Sequence, residues 1–307
     1  LQFKQLIDIA KHVDKESLYL MMKKNFLSLQ DDVKTFICNY YHNNSQFWGE
    51  LYLYTGDFSA LRNRAAELKD HSAEFEWMYR NLSDYRSKAT LISFLEHWIT
   101  LSPESLVRTK ERIFPDYFDL DIISFSNDEV FLDLGAFTGD TIMDFTKLCH
   151  DYKKIYAMEL SPVNHRSLCE NTKGLRDTVC INKGAGAENK TIKMNFSENE
   201  DIANSIERNI ASGDSGVDAF IVAVDNEIAE DVSIIKMDIE GAEKDALKGC
   251  IKHIKNSHPK LLLSAYHNNR DIWELAKMIH EIDPEYRFYL RSNTMQYVPT
   301  DFILIAL

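Results

Sequence analysis

Three groups of residues in this chain have the types and spacing that chemistry needs. The stretch Val130 to Thr141 reads as a buried apolar strand that ends in Asp133, passes Gly135 and Gly139, and opens a helix at Asp140 or Thr141. Glycines let backbone approach a ligand closely, and a helix N-terminus supplies N–H donors with no partner in the helix, so this loop suits a nucleotide-like ligand. Lys236, Asp238 and Glu240 alternate along a second apolar run and would share one face if that strand continues so far. His267 closes a third run, Lys260 to Tyr266, and an imidazole titrates near neutrality, which makes it the best candidate general base.

The loop also limits which ligand fits. A dinucleotide site favours Gly-x-Gly-x-x-Gly after its first strand. Here bulky Phe137 occupies the position of the middle glycine, the one that admits pyrophosphate, so a nicotinamide oxidoreductase is disfavoured. A smaller ligand without phosphates, held by the backbone of Gly135, Ala136, Phe137, Thr138, Gly139, Asp140 and Thr141 and by Asp133, fits better. Glu159 ends the next apolar run, and its carboxylate can accept from two ribose hydroxyls at once.

Plainer readings compete with these. Lys236 could pair with Asp238 or Glu240 as a structural ion pair, Asp140 and Thr141 could only cap the helix, and Glu243 suits the first helical turn. Asn182-Lys183-Gly184 is good turn chemistry. Asp238, Glu240 and His267 could alternatively hold Mg²⁺, Mn²⁺ or Ca²⁺, which would lower the pKa of a coordinated hydroxyl.

The elements that position these residues divide the chain. Residues 1–111 are almost free of glycine and proline and repeat apolar positions at helical spacing, as in Leu91, Phe94, Leu95 and Trp98, which predicts an N-terminal helical region. Residues 112–307 alternate β-branched or aromatic runs with helical stretches, the pattern of an α/β domain on a largely parallel sheet. Strands are expected at 130–135, 155–160, 178–182, 232–238, 260–266, 286–291 and 301–307, with two short ones at 191–196 and 220–224. Helices are expected at 140–150, 162–173, 240–255 and 271–282. The last two strands are joined by a loop too short for a crossover, so they should pair antiparallel. The polar segment from Ser197 to Gly216 reads as a lid or acceptor-binding loop.

Composition excludes several classes. The net charge of −13 over 307 residues argues against a nucleic-acid partner. No apolar run is long enough for a membrane span, and the start lacks a signal-peptide pattern. The five cysteines are scattered, without a Cys-x-x-Cys pair, which fits a reduced, cytoplasmic setting with thiols acting as small core residues.

Taken together, Val130 to Thr141, Met158-Glu159-Leu160-Ser161-Pro162, Asn182-Lys183-Gly184-Ala185 and especially Ile235-Lys236-Met237-Asp238-Ile239-Glu240-Gly241-Ala242-Glu243 resemble the FkbM-type family of class I S-adenosylmethionine-dependent methyltransferases. The resemblance covers roughly residues 112 to 307; Leu82 to Lys88 is similar to a segment ahead of the core in some relatives. It implies a Rossmann-like core, a mostly parallel seven-stranded sheet with an antiparallel terminal strand, and S-adenosylmethionine as cofactor. It further implies that Asn182 and Lys183 face the adenine side, that Asp238 serves cofactor and acceptor, and that the methyl goes to an oxygen of a sugar, glycan or other small molecule. On this reading His267, Asp238, Glu240 and Lys236 are catalytic, and the helical region shapes the acceptor pocket or a contact between copies in a homo-oligomer. The rival reading is a catalytically inactive protein of the same fold that senses cofactor or binds a partner through its helices.

Overall fold

The structure, a computed structural model, describes residues 2–196, 216–294 and 297–307. Residues 197–215 of the expected lid lie outside them. The chain divides into two compact units, one of residues 1–112, 265–277 and 287–304, the other of residues 113–264, 278–286 and 305–307.

The N-terminal residues are helical as expected: α1 (Phe3–His12), α2 (Lys15–Leu27), α3 (Asp31–Asn43), α4 (Ser45–Trp48), α5 (Ser59–Asp70), α6 (Ser72–Asn81), α7 (Tyr85–Thr100) and α8 (Pro103–Val107). Asp84 starts α7 by accepting from the Ser87 N–H at 2.7 Å, and Pro103 takes the first position of α8, where its missing N–H costs nothing. The apolar face of α7, with Leu91, Phe94, Leu95 and Trp98, is buried.

Ten strands follow among the described residues: β1 (Val130–Leu134), β2 (Lys154–Met158), β3 (Thr178–Ile181), β4 (Gly184–Ala185), β5 (Lys190–Met194), β6 (Val217–Val222), β7 (Ile234–Met237), β8 (Lys260–Ser264), β9 (Phe288–Ser292) and β10 (Phe302–Ala306). Seven form a mostly parallel sheet in the order β3-β2-β1-β7-β8-β10-β9, with the expected antiparallel terminal strand. The other three form a small sheet, β4-β6-β5. β1 is buried along its whole length, which explains its apolar reading around Asp133, and parallel pairing places Asp133 level with Lys236 of β7.

Helices α9 (Asp140–Leu148) and α10 (Pro162–Thr172) follow β1 and β2. Behind β1, Phe145 of α9 sits 4.5 Å from the ring of Phe131 and 5.6 Å from that of Phe125, an aromatic cluster that seats α9 against the sheet.

The helix expected over 240–255 is two helices, Glu243–Lys248 and Ile251–Ser257. The break lies at Gly249, where a Cβ would stand 2.1 Å from the Gly186 carbonyl oxygen, so an uninterrupted helix with a side chain there would collide with that backbone. Asp225 caps the second helix, accepting from Lys252 N at 2.8 Å and His253 N at 3.2 Å.

Candidate active site

The β1–α9 loop is braced by its own chain before any ligand is considered. Gly135 N and Ala136 N both donate to the Met158 carbonyl, at 3.0 and 2.9 Å, Gly139 N donates to Ala136 O at 2.8 Å, and Phe137 N donates to Glu159 Oε2 at 3.0 Å. The N–H groups of Gly135, Ala136, Phe137 and Gly139 are thus engaged within the chain, and the first turn of α9, at Asp140 and Thr141, offers donors to a ligand.

The two glycines answer to different neighbours. At Gly135, φ +77°, a Cβ would stand 1.9 Å from Asp238 O, so the close approach is to the chain leaving β7. At Gly139, φ +94°, a Cβ would meet Leu168 and Thr172 of α10 at 3.2 Å. Phe137 is itself left-handed, φ +48°, a conformation rare for a bulky residue. Asn171 of α10 donates to Thr138 O at 2.8 Å and completes the brace.

Glu159 stands one residue beyond β2 and is buried. Besides Phe137 N, it accepts from Ser161 N through Oε1 at 2.8 Å. Burial pushes its carboxyl up to about 7 against the opposing pull of those two N–H donors. Each oxygen keeps a second acceptor position, so two further donors can be received.

Asp133 is fully buried. Lys236, also buried, holds its Nζ 3.0 Å from Asp133 Oδ1 and donates to Gly135 O at 2.8 Å, leaving the Asp133 oxygens without a well-aligned hydrogen bond. Burial raises Asp133 to about 6 even though Lys236 pulls it down. Burial opposes the charge on Lys236, but Asp133 and then Asp238 outweigh it and hold the ammonium above its ordinary value. The structural ion pair thus exists, but with Asp133 rather than with Asp238 or Glu240, and it supports the loop from below.

β7 ends at Met237. Glu240 lies in the following turn at φ +56°, so the strand face expected to carry Lys236, Asp238 and Glu240 does not extend to Glu240. Glu243 opens the next helix and accepts from Ile239 N at 2.9 Å, the first-turn role. Asn182 donates to the carbonyls of Glu159 at 2.8 Å and Leu160 at 3.0 Å, and Lys183 pairs with both oxygens of Glu227 at 2.7 and 2.8 Å. Both residues hold the end of β2 and its surroundings. His267, three residues beyond β8, belongs to the other compact unit, where it is buried with its ring 5.3 Å from that of Phe47.

Tyr117 is a residue the sequence did not single out. Its hydroxyl donates to Asp238 Oδ2 at 2.8 Å and lies 2.9 Å from Ser264 Oγ at the end of β8. Because its one proton goes to the carboxylate, Ser264 must be the donor in the second bond. Burial, then the nearby Asp238 charge, pushes the phenol well above its ordinary value, so it stays protonated. Its φ of +71° is unusual for a tyrosine, and backbone of this kind persists where surrounding contacts over-determine it.

A family model of the methyltransferase FkbM domain matches residues 133–294, more than half of the chain. Among solved structures, the methyltransferase FkbM from Methylobacillus flagellatus KT aligns over 91% of this chain and 72% of its own, at 22% identity with a TM-score of 0.68, a likeness of fold. A precorrin-6y C5,15-methyltransferase from Geobacter metallireducens GS-15 aligns over 61% of this chain and 84% of its own, at 14% identity with a TM-score of 0.38. No curated protein matches the chain.

Proposed function

Because this chain belongs to the FkbM methyltransferase family, we propose that it moves the methyl group of S-adenosylmethionine to a hydroxyl oxygen of a sugar, a glycan or another small hydroxylated molecule. The observation that carries the donor half is Glu159, whose carboxylate is locked by the Phe137 and Ser161 N–H groups while both oxygens keep capacity for the two ribose hydroxyls. Phe137 in place of a glycine fits a donor without pyrophosphate.

When bound, the donor supplies an electrophilic methyl on a sulfonium sulfur. In this reading Glu159 holds the ribose and the first turn of α9 receives the carboxylate of the methionine part. Asp133 and Lys236 keep the loop in place from beneath, so Lys236 is placed with the supports. Asp238, fixed by Tyr117, orients the acceptor hydroxyl. We assign the proton of that hydroxyl to His267 because it follows β8, the strand paired with β7.

Calorimetry of the chain with S-adenosylmethionine and S-adenosylhomocysteine tests the donor, with Glu159→Ala expected to weaken both at least about tenfold. An intact protein that binds neither would sink the reading. Transfer of labelled methyl to a series of methyl glycosides, with and without EDTA, tests the acceptor class and the cation alternative. Donor binding without transfer to any hydroxyl would favour the cofactor-sensing alternative.

A further inference from the structure

Of the five thiols, those of Cys38, Cys149 and Cys250 are buried, whereas Cys169 is exposed and Cys180 is half-buried. Cys169 lies on α10 one turn after His165, whose Nε2 is 3.6 Å from its sulfur. Cys180 lies in β3, against which α10 packs, and its sulfur is 3.3 Å from Oγ1 of Thr172. Thr172 follows Cys169 by three residues on α10, and residues so spaced share one helix face. Burial, then the neighbouring Cys180 thiol, raises the pKa of Cys169, so its deprotonation depends on a base such as the adjacent His165. The core role expected of all the cysteines therefore does not describe these two.

We propose that Cys169 and Cys180 are a site of oxidative modification, a dithiol that a peroxide closes into a disulfide joining α10 to β3. In the first step the Cys169 thiol gives its proton to His165, and its sulfur attacks one oxygen of hydrogen peroxide. The O–O bond breaks, the leaving hydroxide takes a proton to become water, and Cys169 becomes a sulfenic acid. In the second step the Cys180 sulfur attacks the Cys169 sulfur and forms the S–S bond. The S–O bond breaks, and the hydroxide leaves with the Cys180 proton as water. The two thiols are oxidised and one peroxide is reduced to two waters.

The position of the bond gives it a consequence. α10 carries Leu168 and Thr172 against Gly139, and Asn171 against Thr138 O. β3 runs into Asn182, which holds the Glu159 and Leu160 carbonyls. A link between α10 and β3 ties together the two supports of the loop and of Glu159. Formation of the bond is independent of the methyl-donor reading; its effect on donor affinity rests on that reading, so the two can fail separately.

The test treats the whole chain with hydrogen peroxide and maps its peptides without reduction. A Cys169–Cys180 cross-linked peptide is expected in the unaltered chain, absent from Cys169→Ser and Cys180→Ser, and slower to form in His165→Asn. Accumulation of sulfinic acid at Cys169 with no cross-link would overturn the proposal. In calorimetry the oxidised chain is expected to bind S-adenosylhomocysteine at least about threefold more weakly, with recovery after dithiothreitol. An unchanged affinity in the cross-linked chain would overturn its coupling to the site.

Discussion

At the residue scale, the two loop glycines are a matched pair for measurement. Both have positive φ, so an alanine is strained at either, but only at Gly135 does the new methyl run into backbone. Gly135→Ala is expected to cost more than about 3 kcal/mol, and Gly139→Ala, whose neighbours are side-chain methyls that can yield, about 1 kcal/mol. Urea denaturation orders them, and equal losses would show that φ strain alone matters. Glu159 makes a pH prediction. Its carboxyl titrates at about 7, and only the ionised form accepts at both oxygens. Affinity for S-adenosylhomocysteine should therefore be highest above that value and about tenfold weaker at pH 6 than at pH 8 by linkage. Glu159→Gln should flatten this dependence, and a flat profile in the unaltered chain would remove Glu159 from the ribose.

At the scale of elements, Asp225 is expected to hold the start of the helix Ile251–Ser257. Asp225→Ala should cost about 1–2 kcal/mol in denaturant unfolding, with faster amide exchange at Lys252 and His253, whereas slowed exchange there would contradict the capping role. The strands of the parallel sheet were legible because residues buried on both faces read as apolar runs, and Asp133 and Glu159 stood out as acids at or just past the ends of such runs. What was not legible depended on distant partners. Tyr117 meets Asp238 and Ser264 across 121 and 147 positions, and nothing in its own neighbourhood announces them. Spacing alone sets Lys236 against the carboxylates near it in sequence, yet its partner is Asp133, placed by strand pairing. The break at Gly249 depends on Gly186, which follows the two-residue strand β4 and lies 63 positions earlier, so helical periodicity over 240–255 carries no sign of it.

At the scale of the whole molecule, the unit that contains residues 1–112 also owns β9. Ser87 of α7 accepts from Leu290 N at 2.9 Å and from buried Arg291, which also pairs with Asp84 at 2.7 Å; the ring of Phe94 lies 5.1 Å from that of Phe302. This gives Leu82 to Lys88 a structural role, since Asp84 and Ser87 anchor the terminal strand. A chain beginning at residue 113 would remove the Asp84 partner of Arg291 and uncover the faces of Leu290 and Phe302. It should be recovered aggregated, or monomeric only with a melting temperature lower by 10 °C or more, roughly the effect of losing a few kcal/mol. A stable monomer of unchanged melting temperature would show that β9 does not need the helices.

That shared unit also bears on synthesis. Helices made first cannot complete their core until residues 265–304 have been translated. At ribosomal speeds the wait is roughly 10–40 s. Through that interval the apolar face of α7 has no β9 to cover it, so the nascent chain carries an exposed, chaperone-accessible surface. Slowing translation late in the message should lower the yield of folded protein more than slowing it early.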